Sequence, residues 1–162
     1  MLVSASIAEF MNIESREQVM FYDTDCGGVV SNIAYLRFVE KARTALFEEL
    51  GMSPGTMTET QVFPAVIRTE IDYLYPARLG DQIRIEAHLE SVEKVRVFCR
   101  FRLVIEGEQE RVSAEVVQTV ALVQLPSGRP KGFPLSGLNT LEKPVFSACC
   151  PWLNNSQCKY TN

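Results

Sequence analysis

The run Asp23-Thr24-Asp25-Cys26-Gly27-Gly28-Val29-Val30 sets two carboxylates beside two glycines, just ahead of the strongest helical pattern in the chain. Glycine permits a tight backbone path, and such a path can present a carboxylate to the start of the next helix. A helix start carries unsatisfied N–H groups and a positive partial charge, so it holds an anion or polarises a carbonyl oxygen. A carboxylate facing those donors makes a workable acyl-transfer arrangement. The amides stabilise a developing oxyanion while the carboxylate attacks the carbonyl or activates a water. The plainer reading is that Asp23 and Asp25 are turn and capping residues. A calcium loop is a third reading, because DxDxxG resembles the opening of an EF-hand. It fails because Gly27 stands at the fifth position and Ala34 at the twelfth, where a glutamate ligand belongs.

Other reactive side chains are less well placed. Cys26 follows Asp25 directly, but no histidine lies nearby in sequence to activate it. His88 alternates with charged residues on a strand face and is expected to be solvent-exposed. Glu40 and Arg43 sit one helical turn apart, where a local ion pair explains them, and Arg37 is within reach of joining it. The five cysteines are odd in number and show no CxxC pair, and the single histidine has no cysteine near it. Neither a metal site nor a disulfide framework is expected.

The elements that must position Asp25 follow from hydrophobic periodicity. Residues 16–23 read as a first strand. Residues 32–50 read as a long amphipathic helix, with Tyr35, Leu36, Phe38, Val39, Ala42, Leu46, Phe47 and Leu50 largely on one side. Ser31 or Asn32 can cap its start, and Gly51 follows its end. After a Pro/Gly/Thr-rich connection at 53–61 the period changes to two. Strands are expected at 63–75, 81–92, 94–106 and 110–125, joined mostly by short turns, which implies antiparallel pairing. The expected fold is α+β: a five-stranded antiparallel sheet curved around one long helix. Beyond Leu125 the Pro/Gly-rich sequence does not read as strand.

Composition sets the outer bounds. The 162 residues fit a single domain with its core at about 14–135; residues 1–10 and 145–162 are expected to be peripheral. With 46% hydrophobic and 22% charged residues the composition is globular. A net charge of −4 gives no electrostatic case for nucleic acid or an acidic membrane as partner. No apolar run reaches the roughly 20 residues a membrane span needs, and the first residues lack the pattern of a signal peptide. A cytoplasmic location is the expectation, with the tail cysteines Cys149, Cys150 and Cys158 reduced.

Beyond these physical readings, the residues carry a resemblance. Phe21 to Val30, then Asn32, Ala34 to Phe38 and Glu40 to Thr44, resemble the signature of the hydroxybenzoyl-CoA thioesterase family, in the branch of the Tol-Pal-associated bacterial acyl-CoA thioesterases. Tyr73-Leu74-Tyr75-Pro76-Ala77-Arg78-Leu79-Gly80-Asp81 resembles a second segment of that family. The similarity runs from about Glu17 to about Pro134. It implies the hotdog fold, protomers paired into dimers and commonly tetramers, and hydrolysis of a short-chain or aromatic acyl-CoA. It implies that Asp25 is nucleophile or general base, and that the backbone N–H of Asn32, with Ile33, holds the oxyanion. Gly28, Val29, Ile33 and Tyr35 become the expected substrate-binding residues around the thioester. The family often has Tyr-His where this chain has Ser31-Asn32, a change that keeps the backbone donor and loses the imidazole.

The resemblance makes CoA part of the substrate, with no separate cofactor. Its phosphates call for Lys and Arg, and Lys94, Arg96, Arg129 and Lys131 fall near strand ends or in the basic segment after the last strand. Phe47, Val62, Phe63 and Tyr75 are candidates for shaping the acyl pocket. Two other functions fit the same fold: hydration of an enoyl thioester, which generally needs a histidine that His88 is badly placed to supply, and non-catalytic binding of acyl-CoA or acyl carrier.

Overall fold

The computed structural model describes residues 11–132. The expectations for residues 1–10 and for the cysteine-containing tail lie outside the described residues. In chain order the elements are β1 (Asn12–Gln18), a 3-10 turn (Phe21–Asp23), α1 (Asn32–Glu49), α2 (Pro54–Thr60), β2 (Val62–Tyr73), β3 (Gln82–Val92), β4 (Arg96–Ile105), β5 (Arg111–Gln124) and β6 (Arg129–Pro130). They form one antiparallel sheet in the order β1-β3-β4-β5-β2, with the short β6 pairing β5. The expected α+β architecture is present, with α1 lying over β1 and β3.

α1 forms as its apolar spacing dictates. Ala34, Tyr35, Phe38, Val39, Ala42, Leu46 and Phe47 are its buried face. The large ones among them each contribute roughly 1.5–3 kcal/mol relative to exposure. They meet Ile83, Ile85, Ala87 and Leu89 of β3 and Val97, Cys99, Phe101 and Leu103 of β4, the alternate residues on the inner face of the sheet. Ser31 caps the helix through its hydroxyl, which accepts the Ala34 N–H at 3.3 Å. Gly51 ends it at φ +80°, a conformation that suits glycine alone.

Four expectations need correction. The first strand is Asn12–Gln18 rather than 16–23, because the Asp23 carboxylate accepts the Met20 N–H at 2.9 Å and closes a turn. Residues 54–60 are a short helix rather than open connection: Ser53 caps it, Pro54 occupies its first turn, and the hydroxyls of Thr58 and Thr60 donate to carbonyls four residues back. The sheet has six strands, because Arg129–Pro130 pairs with Val123 and Gln124, beyond the Arg96 start of β4 opposite Ala121. His88 is half-buried, its Nδ1 against Oδ1 of Asn12 on the neighbouring strand; desolvation holds its pKa below the ordinary histidine value.

α1 leaves part of the sheet open. β2 is an edge strand with a bulge between Val66 and Arg68, and Val66, Ile67 and Tyr73 remain exposed along it. A long edge with apolar residues is a template for pairing with another chain.

Candidate active site

The chain between β1 and α1 folds back on itself. Asp25 N–H donates to the Val29 carbonyl at 2.9 Å, Gly28 N–H donates to the Asp25 carbonyl at 3.0 Å, and Thr24 bridges to Val30. Gly28 adopts φ +70° to close this loop. The Asp25 carboxylate accepts the Gly27 N–H through Oδ1 at 2.7 Å, so Asp25 is a turn residue by geometry as well as a candidate for chemistry. A Cβ at Gly27 would stand 3.1 Å from that same oxygen.

Asp23 takes a separate role. It is fully buried: Oδ2 accepts from Met20, and Oδ1 accepts from the Arg37 guanidinium at 2.5 Å. Arg37 therefore does not join Glu40 and Arg43; it pairs with Asp23 and stacks over the Tyr22 ring. Glu40 and Arg43 do approach, at 3.8 Å.

A second segment forms the back of the site. The Val30 N–H donates to the Ala77 carbonyl at 2.8 Å, and Val29 bridges to Arg78. Tyr35, reaching out of α1, places its hydroxyl 2.6 Å from Ser113 Oγ, and Ser113 donates on to the Tyr75 carbonyl at 2.7 Å. The Tyr35 and Tyr73 rings meet edge to face at 5.3 Å, and partial desolvation, with Tyr35 alongside, pushes the Tyr73 phenol pKa up.

Between these parts lies a cleft of about 290 Å³ lined by Asp25, Val29, Val30, Asn32, Tyr35, Tyr73, Leu74, Tyr75 and Pro76. Four of the residues singled out from sequence, Asp25, Val29, Asn32 and Tyr35, line it together, as does the pocket candidate Tyr75. Gly28 and Ile33 flank it without lining it. Asn32 and Ile33 are the first two residues of α1, so their N–H groups have no acceptor within the helix. The cleft thus holds an exposed carboxylate and a helix start, the two parts an acyl-transfer site needs.

The remaining candidates lie elsewhere. Lys94, Arg96, Arg129 and Lys131 gather where β4 begins and β5 ends, with Arg96 opposite Ala121 and Arg129 opposite Gln124. Tyr73 pairs with Ala114, so this basic cluster is roughly 25–35 Å along β5 from the cleft in the same protomer. Lys131 borders a second cavity of about 580 Å³ beside Leu50, Met52, Met57 and Val62. Phe47 is core, and Phe63 points to the outer face of β2. Cys26 is exposed; Cys99 is buried, and burial pushes its thiol pKa up to about 12. Among the described residues no group of His, Cys, Asp and Glu could hold a metal ion, and no helix is long and apolar enough to cross a membrane. Tyr73, Leu74 and Pro76 are walls of the cleft that the sequence reading does not name as such; the two tyrosines, Tyr73 and Tyr75, just ahead of Pro76 are the available signal.

Comparison with known proteins decides the family. The model of the thioesterase-like superfamily matches residues 19–147. The chain belongs to the thioesterase-like superfamily. Within it, the chain is 32% identical over 118 residues to the acyl-CoA thioesterase YbgC of Haemophilus influenzae, covering 72% of this chain and 85% of that one. It is 29% identical to the acyl-CoA thioester hydrolase YbgC of Escherichia coli, covering 74% and 87%. Among solved structures, a 1,4-dihydroxy-2-naphthoyl-CoA thioesterase from Synechocystis superposes with a TM-score of 0.73 at 19% identity, covering 83% of this chain and 100% of that one. The 4-hydroxybenzoyl-CoA thioesterase of a Pseudomonas species gives 0.72 at 16%, covering 79% and 97%. The fold of this superfamily member is the hotdog fold.

Proposed function

We propose that this protein hydrolyses acyl-CoA thioesters, with Asp25 as the nucleophile or general base. The observation that carries the proposal is the cleft that holds Asp25 and the first residue of α1 in one wall. The thioester carbonyl would lie at the start of α1, its oxygen accepting from the N–H groups of Asn32 and Ile33. Asp25 either attacks the carbonyl carbon or takes a proton from an attacking water. In the first route breakage of the C–S bond leaves an acyl–Asp25 anhydride, which a water then hydrolyses to release the acid and restore the carboxylate; in the second the water adds directly and the acid departs as the C–S bond breaks. In both, the thiolate of CoA leaves and takes up a proton. An acyl group bound against Tyr35, Tyr73 and Tyr75 would exclude water and strengthen each of these interactions. The YbgC relatives support this activity for the chain, and a short-chain or aromatic acyl group is the substrate we propose.

The active unit we propose is a homodimer or an assembly of such dimers, joined along the exposed edge of β2. Two-fold pairing of one strand with its own copy is antiparallel. It would set the Val62 end of one protomer beside the Tyr73 end of the other. The partner's Lys94, Arg96, Arg129 and Lys131 would then lie toward the Asp25 cleft, where the CoA phosphates need cations. This accounts for a basic cluster that is remote within one protomer.

The test is thiol release from short, long and aromatic acyl-CoAs, with wild type and Asp25→Asn in parallel. Turnover that collapses in the variant supports the proposal. Absence of turnover across the panel, with acyl-CoA still bound by both proteins, would favour a non-catalytic binding module.

A further inference from the structure

Along α1, two turns beyond Tyr35, Arg43 reaches across to β5. Its guanidinium donates to Gln118 Oε1 of β5 at 2.9 Å, and Gln118 Nε2 donates to Thr69 Oγ1 of β2 at 3.1 Å. The Arg43 side chain is only 15% exposed, and burial pulls its pKa down. Its carboxylate neighbour Glu40 is 3.8 Å away and 69% exposed, so that pair is solvated and weak. A desolvated guanidinium held mainly by a neutral amide retains donors and charge for a further acceptor, since buried charges normally find a close counter-ion.

The position of this cluster relates it to the cleft. Thr69, Ile71 and Tyr73 alternate onto the inner face of β2, opposite the buried Gln118, Val116 and Ala114. Tyr73 lines the Asp25 cleft, and Thr69 lies four residues away, roughly 13 Å along the strand. On the facing helix Tyr35 lines the cleft and Arg43 follows eight residues later, about 12 Å along the axis. The two measures agree: the Arg43–Gln118–Thr69 cluster stands about 12–13 Å from residues that line the cleft, within reach of an aromatic or longer acyl group rather than a short unbranched one. Both Thr69 and Tyr73 are exposed in the single protomer, so neither is covered by the chain's own core.

We propose that Arg43, oriented by Gln118 and Thr69, determines acyl specificity by receiving an anionic group, a carboxylate in the simplest case, at the far end of the acyl chain. The proposal rests on the thioesterase reading and deepens it: the substrates favoured are CoA thioesters whose acyl group carries a second acid function. Gln118 fixes the planar guanidinium so that its remaining N–H groups form a fork for the two carboxylate oxygens.

The experiment compares acyl-CoAs ending in a carboxylate with methyl-ended ones of equal length, over a series of lengths, in wild type, Arg43→Met and Arg43→Gln. Both kcat/KM and KM are measured. Wild type should favour the carboxylated series by about tenfold or more at its best length, and both variants should lose or reverse that preference. Equal preference in wild type, or a preference that survives both substitutions, overturns the proposal. Calorimetric binding of the same probes to Asp25→Asn gives an arm independent of turnover. A carboxylate preference there, without hydrolysis by wild type, would sustain the Arg43 site while defeating the thioesterase reading.

Discussion

Asp23 and Arg37 meet at 2.5 Å, joining the turn ahead of α1 to the second turn of the helix itself. Both Asp23 oxygens are occupied, one by Arg37 and one by the Met20 N–H. Of the two carboxylates in the motif, Asp25 alone lines the cleft. The pair divides into a structural member and the member proposed above for the chemistry.

That division predicts opposite phenotypes. Asp25→Asn should lower kcat by roughly 10²–10⁴-fold with little change in stability, because Asp25 is exposed. Asp23→Ala should cost about 2–3 kcal/mol of stability by stranding buried hydrogen-bond partners. Denaturant melts and thiol-release kinetics on the two variants check both halves; a stable, fully active Asp23→Ala would refute the assignment.

Tyr35 ties α1 to Ser113, and the Ala77 N–H also points at its hydroxyl at 3.4 Å. Tyr35→Phe should cost about 1 kcal/mol, lowering the thermal midpoint by about 3 °C, and should raise KM as the cleft wall loosens. Calorimetry with steady-state kinetics measures both.

His88 gives stability a pH dependence. Desolvation lowers its folded pKa, Arg100 lowers it further, and Glu90 opposes them. Below about pH 6.5 the unfolded chain gains a proton that the folded chain resists. The stability contributed is therefore present above the unfolded pKa, and is lost as pH falls until the folded pKa is passed. Urea melts from pH 8 to pH 5 should show a steeper acid loss in wild type than in His88→Gln; parallel curves would rule this out.

Charges on the β2 edge should disrupt assembly. Val66 and Ile67 are exposed there, and Ile67→Lys combined with Val66→Lys should yield monomers with at least about tenfold less activity. Sedimentation velocity with an activity assay decides it. An active monomer would remove the basis for a shared site.

The fold was largely legible because its signals are periodic. The helix of 32–49 and the alternation in β3 and β4 each repeat over many residues, and burial followed those repeats. The features without a periodic signal are set by single side-chain contacts. The Asp23 carboxylate ended β1 early, and threonine hydroxyls with a Ser-Pro start made a helix of a segment that composition marks as a loop. The enclosure of His88 is invisible locally because its charged neighbours are next in sequence, whereas Asn12, which helps enclose it, is on another strand. At the site, Asp25 and Asn32 were readable as a local motif. The aromatic wall from Tyr73 to Pro76 and the Arg43–Gln118 contact depend on pairings between distant segments, which no local pattern reports.

The seam between Val30 and Ala77 has one more implication. Two stretches nearly fifty positions apart in the chain share its backbone hydrogen bond, and the next residues along, Val29 and Arg78, are bridged as well. Neither stretch can change length alone. An inserted or deleted residue between Thr24 and Ser31, or between Tyr75 and Gly80, would slide one strip past the other and carry Asp25 away from the helix start. Chains built on this plan should accept gaps at the hairpin around Gly107 far more readily than at either of these two stretches.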